Sequence, residues 1–371
     1  MKIFAIGTPY LNPRIQDTWE LIPDDSMELK MVAPKKWSWD PNRIRVTDNP
    51  FISYDFLDCI NQDRPDYYLD GAEKLLVDYD PDILFVMCEL TQLQTSRILD
   101  AAKNLRCKKL IFCWENINPS YGNNNWGLID GYVGGNFASC KFAQRNKLGD
   151  SSILFAPQNG VDTGFFREYE GRKEFEDIGW INILFPNRFT DGKGVEEVIA
   201  SMREIFRRKY ALLPSITFTG FTNDCGRDLT PIIKKFTNEF SGRARMALKR
   251  VPYEIMPKIY NNAHIVINNA KDTPYWKEQC GYSPLEAAST GCAIITSDAG
   301  SLMDFWGGSG AEIVEQGDNN VEMLIASIDK LIADGAYRKN CAKKCQSHVI
   351  DNFSHIKVAT KLREFFKGVS K

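Results

Sequence analysis

Two segments of the chain combine residue types and spacings suited to binding an anion and its neighbouring hydroxyls. The first is Asn187-Arg188-Phe189-Thr190-Asp191-Gly192-Lys193-Gly194. It lies between an apolar run and a segment of helical period, and a strand-to-helix turn in an α/β sheet faces the crevice where ligands bind. A helix N-terminus there offers unpaired amides and a positive dipole end. Arg188 and Lys193 add a planar fork and a point charge, the two styles of phosphate recognition. The GxGxxG and Walker patterns are both missing, so dinucleotide and P-loop readings lack their residues. The bland alternative is a solvated surface turn.

The second segment is Glu278-Gln279-Cys280-Gly281-Tyr282-Ser283-Pro284-Leu285-Glu286-Ala287-Ala288-Ser289-Thr290-Gly291. Ser283 followed by Pro284 predicts a helix capped by Ser283, with Glu286 in its first turn and Glu278 in the loop before it. Two carboxylates bracketing a helix N-terminus can accept hydrogen bonds from sugar hydroxyls, while the amides of Gly281, Tyr282 and Ser283 receive a phosphate. Burying a carboxylate without a donor is costly, and hydroxyls supply donors. The alternative role for Glu286 is a first-turn acid that answers the helix dipole.

Other candidates read as structure. Asp78, Asp80 and Asp82 alternate as a cation site would, but Asp80-Pro81-Asp82 directly precedes the apolar run Ile83–Met87 and reads as a polar turn. Cys341, Cys345 and His348 share a helical face without an apparent fourth zinc ligand. No metal is expected. His264 enters an apolar strand, and no histidine sits beside a placed nucleophile. Lys35, Lys36, Arg43 and Arg45, interleaved with Trp37 and Trp39, read as a solvated loop, with an acceptor site or membrane-surface contact as the alternative.

The elements that must carry these residues alternate, as in parallel α/β sheets. Strands are expected at Ile3–Ile6, Leu29–Val32, Ile83–Met87, Lys109–Cys113, Tyr132–Gly134 and Ile153–Ala156. In the second half they are expected at Asn182–Phe185, Ile216–Thr219, Ile265–Asn268, Ala293–Thr296 and Glu312–Val314. Val195, Val198, Ile199, Met202 and Ile205 form one apolar helical face, and Val321, Leu324, Ile325, Ile328 and Leu331 another. Two doubly wound domains follow, at 1–168 and 169–352, with a last helix near Phe353–Phe366 crossing back to the first.

With 371 residues, 46 Lys+Arg and 48 Asp+Glu, the chain suits two domains and lacks the basic balance of a nucleic-acid binder. Its 10 cysteines in 371 residues are far below the density of a disulfide scaffold, and no CxxC pair occurs. The opening Met1-Lys2-Ile3-Phe4-Ala5-Ile6-Gly7 turns polar too soon for a signal peptide, which makes the cytoplasm the expected compartment.

Taken together, these residues resemble GT-B glycosyltransferases, closest to family four of the retaining, nucleotide-sugar-dependent enzymes. Asn159-Gly160-Val161-Asp162 with Phe165 is similar to the family's Asn-Gly-Val-Asp segment. Arg188 through Lys193-Gly194 resembles its donor-phosphate loop. Val251-Pro252-Tyr253, running on to Tyr260 and Ala263, looks like its base-binding approach. Glu278 and Glu286-Ala287, with Gly291, resemble its two-glutamate motif.

The resemblance implies two lobes facing a cleft. It assigns Arg188 and Lys193 to the departing diphosphate, Glu278 to hydroxyls of the transferred sugar and Glu286 to the ribose. Gly281, Tyr282, Ser283, Gly220, Val251, Tyr253 and Gly7 complete the implied donor-binding set. It also implies no metal and no cofactor beyond the nucleotide-sugar co-substrate, with a UDP-sugar favoured and a GDP-sugar next. Configuration would be retained, the leaving phosphate oxygen taking the acceptor's proton.

Two departures stand out. Gly7-Thr8-Pro9-Tyr10 has one glycine where the family often has two, and Cys113-Trp114-Glu115-Asn116 stands where many members carry a histidine. Glu115 or Asn116 is expected to fill that place against donor sugar or acceptor. Trp37, Trp39 and Asn116 are the expected acceptor contacts. A nucleotide-sugar epimerase and a non-catalytic two-lobed binding protein are the competing readings. The Asn-Gly-Val-Asp and two-glutamate pairing disfavours the first, and the lack of an export signal disfavours the second.

Overall fold

The computed structural model describes residues 1–37, 49–64, 66–117, 124–146, 148–169, 179–220, 227–247 and 251–370. Trp39, Arg43 and Arg45 lie outside them. The chain divides into two units, one made of Met1–Asp162 with Ser354–Lys371 and the other of Thr163–Phe353. The division precedes the expected boundary at 168 because Phe165 to Arg167 already pack within the second unit. Phe166 lies against Tyr253 and Tyr260, and the Asn261 amide donates to the Arg167 carbonyl.

In the first unit the strands are β1 (Lys2–Ile6), β2 (Glu28–Pro34), β3 (Ile52–Leu57), the short antiparallel pair β4 (Cys59–Ile60) and β5 (Tyr68–Leu69), β6 (Ile83–Met87), β7 (Lys108–Cys113), β8 (Gly131–Gly134) and β9 (Ile153–Phe155). All but β4 and β5 form one parallel sheet in the order β3-β2-β1-β6-β7-β8-β9. Alternate residues feed opposite faces. Ile3, Ala5, Phe85 and Met87 enter one apolar cluster, and Phe4, Ile6, Leu84 and Val86 enter the other. A strand buried on both faces reads as a continuous apolar run, which is why these were visible in the sequence. Helices α1 (Pro13–Trp19), α2 (Ala72–Tyr79), α3 (Leu93–Ala101) and α4 (Phe137–Arg145) belong to this unit.

The second unit holds β10 (Trp180–Phe185), β11 (Leu213–Phe218), β12 (Ala244–Met246), β13 (Ile265–Asn268), β14 (Ala293–Ser297) and β15 (Glu312–Val314), all parallel in the order β12-β11-β10-β13-β14-β15. Its helices are α5 (Val195–Arg207), α6 (Thr230–Glu239), α7 (Met256–Asn261), α8 (Tyr282–Ser289), α9 (Leu302–Trp306), α10 (Asn320–Ala333) and α11 (Gly335–Phe353). The sheet order reverses between β10 and β13, and in the first unit between β1 and β6. Ligands of open α/β sheets bind outside the carboxyl ends of the strands at such reversals.

The final helix, α12 (His355–Val369), returns to the first unit as expected from the sequence. Ser354 caps it by accepting from the Lys357 amide. Val358, Ala359, Leu362 and Phe366 then complete the apolar cluster containing Trp19 and Phe85. Among the described residues no helix is long and apolar enough to cross a membrane.

Candidate donor site at the second sheet reversal

Strand β10 delivers the Arg/Lys turn to the sheet reversal. The Asn187 side chain donates to the Ile267 carbonyl 3.1 Å away, tying the turn to β13. Gly194 ends the turn at φ 64°, and a Cβ there would lie 2.1 Å from the Asn269 carbonyl, so only glycine fits. The first turn of α5 carries Glu196 and Glu197, which already answer its dipole. Binding of an anion therefore falls to the basic side chains rather than to that helix end. Arg188, half-buried, has no hydrogen-bond or ion-pair partner among the described residues. The Lys193 ammonium is buried, touches Glu278 Oε2 and lies 4.6 Å from the centre of the Trp276 ring.

The two acids reach the same place from β13 and α8. Burial pushes the Glu278 carboxyl up, but Lys193 and then Arg188 outweigh it and hold the group below the ordinary carboxylate range. Glu278 is therefore an ionised, buried carboxylate. Its backbone is fixed by the Ser301 amide, which donates to its carbonyl at 2.8 Å. Glu286 is 4% exposed and accepts from the Tyr260 hydroxyl at 3.1 Å. Cys280 sits between the acids, and its thiol is pushed up by burial, then by Glu278 and Glu286.

The expected cap needs correction: α8 begins at Tyr282, and Gly281 in the left-handed region at φ 70° turns the chain into it. No side chain caps this end, so Ser283 and Pro284 lie inside the first turn. Tyr282 and Ser283 are half-buried there. Gly220 follows β11, so close to Asn187 that a Cβ would lie 1.9 Å from its carbonyl oxygen. Val251 is half-buried, and Tyr253 stacks its ring near Phe165 and Phe166.

The remaining candidates lie in the first unit. Gly7 packs against Met87 where the first sheet reverses, with its amide donating to Val32. Glu115 Oε1 accepts from the Ile117 amide at 2.7 Å, and Asn116 is buried. Trp37 meets Tyr67 edge-on at 5.1 Å, and Lys35 pairs with Asp58 at the surface. Asp82 accepts from the Lys2 amide at the opposite, amino end of the sheet, as a polar turn would. Among the described residues no group of three or more His, Cys, Asp or Glu could hold a metal ion. His264 accepts from the Asn182 amide, and His348 hydrogen-bonds to the Phe305 carbonyl.

Two residues were missed from the sequence. Glu89 follows β6 at the first sheet reversal, and its Oε1 accepts from the Trp114 amide at 2.8 Å. Oε2 is buried with no hydrogen-bond partner among the described residues. Burial pushes this carboxyl up to about 7, with the Trp114 amide pulling the other way and the Glu115 charge adding to the rise. The position of Glu89 two residues past a fully buried strand is legible in the sequence, but its partner Trp114, after β7, is not. Trp276 was the other omission, a large aromatic in the loop between β13 and Glu278.

Two Rossmann-type sheets, with Arg188, Lys193, Glu278 and Glu286 gathered at the reversal of the second, give the chain the GT-B fold. The sequence model of the family described as glycosyl transferases group 1 matches residues 172–348. An uncharacterized glycosyltransferase of Methanocaldococcus jannaschii is 24% identical over 193 residues, covering 50% of this chain and 44% of that protein. The chain thus aligns with less than half of that relative's length.

Among solved structures, a glycosyltransferase from Rickettsia africae superposes with a TM-score of 0.73 at 16% identity, covering 100% of this chain and 98% of that one. Anabaena HepE, solved in complex with UDP and glucose, gives 0.67 at 13% identity, covering 98% of each chain. At these identities the likeness is one of fold.

Proposed function

We propose that the protein moves a sugar from a nucleoside-diphosphate donor to a hydroxyl acceptor with retention of anomeric configuration. The observation that carries this reading is the pairing of opposite chemistries at one sheet reversal. Arg188 is a cation without a described hydrogen-bond partner, and it stands beside Lys193 and two buried acids. An anion with hydroxyls on both flanks answers all four groups.

Arg188 and Lys193 would neutralise charge growing on the diphosphate as it leaves, where electrostatic stabilisation acts. Glu278 would accept from hydroxyls of the transferred sugar and Glu286 from the ribose, with the amides near Gly281 and Tyr282 on phosphate or sugar. The leaving phosphate oxygen takes the acceptor's proton. The two side-chain cations do the work a metal would do, so the reaction proceeds without one. The UDP bound by HepE supports uracil as the first base to test, with guanine next. The acceptor is assigned to the first unit, to Glu115, Asn116 and Trp37, with Glu89 beside them.

Thermal-shift screening against UDP, GDP, ADP and TDP and their sugars identifies the donor, because a bound ligand stabilises in proportion to its affinity. Transfer from that donor, followed by NMR of the product's anomeric centre, tests the reaction. A protein stabilised by none of these nucleotides, or a product with inverted configuration, would contradict the reading. Replacing Lys193 by Ala should lower turnover more than donor affinity, since charge on the diphosphate grows toward the transition state.

A further inference from the structure

Beside Glu278, Lys193 is enclosed by a part of the chain to which the reaction above gives no role, the loop that carries Trp276. Its ammonium touches Glu278, and the face of the Trp276 indole lies 4.6 Å from it. The same ring packs on the turn that carries the lysine. A Cβ at Gly192 would lie 2.8 Å from Trp276 Cε3, so ring and turn meet with no space for a side chain.

The indole is itself held. The Thr273 amide donates to the Trp276 carbonyl at 2.8 Å, and the Trp276 amide donates to Thr273 Oγ1 at 2.9 Å. This tight turn fixes the ring's backbone at both ends. The Lys271 amide donates to the Gly192 carbonyl at 2.9 Å, which binds the loop after β13 to the turn after β10. Two separate segments thus converge on one ammonium. A flexible four-carbon stem would otherwise cost rotamer freedom each time it was ordered against a ligand.

We propose that Trp276 is a positioning residue of the donor site, its ring holding the Lys193 ammonium beside Glu278 and ready for the second phosphate of the nucleotide. The ring attracts the cation through its quadrupole and blocks the stem from swinging away. Trp276 acts through Lys193 and touches no reacting atom. The inference rests on the reading that Lys193 meets the donor diphosphate, so the test must separate the two.

UDP and UMP differ by the phosphate that Lys193 would engage, so their affinity ratio reports on the lysine. Isothermal titration of both nucleotides into the full chain measures it, with GDP and GMP in their place if the protein takes guanine. In Trp276→Leu the ratio should narrow by roughly three- to thirtyfold, the range of a partly buried cation–π contact. UMP affinity should hardly change, and Trp276→Phe should restore most of the ratio.

Gly192→Ala keeps the indole but pushes it off the turn, and it should narrow the ratio in the same way. It also carries the test if Trp276→Leu does not fold. Equal losses for UDP and UMP, or an unchanged ratio in Trp276→Leu or Gly192→Ala while Lys193→Ala collapses it, would overturn the inference alone. An unchanged ratio in Lys193→Ala would overturn the role of Lys193 itself, and with it the reading on which the inference stands.

Discussion

Lys193 Nζ and Glu278 Oε2 form a direct ion pair whose side chains are only 9% and 11% exposed. Lys193 is the main influence that keeps the buried Glu278 carboxylate charged. Removing one leaves a buried charge uncompensated, which typically costs about 3–5 kcal/mol. Lys193→Met should therefore destabilise the second unit by that order, and Lys193→Met/Glu278→Leu by clearly less than the sum of the two single changes. Urea denaturation of the four proteins in a double-mutant cycle measures the coupling; additive effects would show that the pair contributes nothing as a pair. The sign with pH follows. The folded carboxyl titrates below its ordinary 4.5, so its contribution is present above that value and is lost as pH falls through the lower folded one.

Glu286 is assigned to the ribose, and a hydrogen bond to a charged group is worth about 1.5–3 kcal/mol. Glu286→Gln should then weaken UDP binding by roughly ten- to a hundredfold. It should also shrink the preference for UDP over its 2′-deoxy form, since the lost acceptor is the one that reads the hydroxyl. Calorimetric titration of both nucleotides checks this, and a full preference retained in the variant would remove Glu286 from the ribose. Tyr260→Phe should cost less, because it deletes a donor to Glu286 and leaves the carboxylate in place.

The parts of the fold that were legible are those in which local pattern and burial coincide. Ile83–Met87 and Ile265–Asn268 are buried on both faces, so composition alone marks them and their ends. Ile52–Leu57 escaped notice because it is an edge strand, half-buried, with Ser53 and Asp55 interrupting the apolar run. Ala244–Met246 escaped because three residues carry no period. In the site, the basic turn and the two acids were legible from residue type and spacing. The cap at Ser283 was misjudged because the left-handed turn at Gly281 starts the helix earlier. Trp276 and Glu89 owe their places to strands brought together from distant parts of the chain, and no local spacing encodes that.

Phe366 shows how the last helix contributes to the first unit. Its ring is fully buried, 5.5 Å from Phe85 and 6.2 Å from Trp19. Phe366→Ala removes an aromatic from a packed cluster and should destabilise that unit by about 3–5 kcal/mol. Arg188, Lys193, Glu278 and Glu286, the proposed nucleotide contacts, all belong to the second unit, so UDP should still bind the variant below its melting temperature with nearly unchanged affinity. Calorimetry with and without UDP separates the two effects, and an unshifted melting profile would mean that α12 contributes little to this core.

Glu89 should dominate the pH dependence of the first unit between mildly acidic and neutral conditions. Its carboxyl titrates at about 7 in the fold against an ordinary 4.5, because burial disfavours the charge. The native state therefore keeps a proton that the unfolded chain has released. Stability from this group is fully present below about 4.5 and declines as pH rises toward 7, by about 3 kcal/mol in all. Cys88, Cys113 and Glu115 are the titratable neighbours. Both thiols are pushed up and stay neutral over this range, so Glu89 is the group that changes. Glu89→Gln keeps an oxygen for the Trp114 amide and carries no charge. Denaturation midpoints at pH 5 and pH 8 should differ markedly for the wild type and little for the variant, which should be the more stable of the two at pH 8. Equal slopes with pH in the two proteins would show that Glu89 is already ionised in the fold.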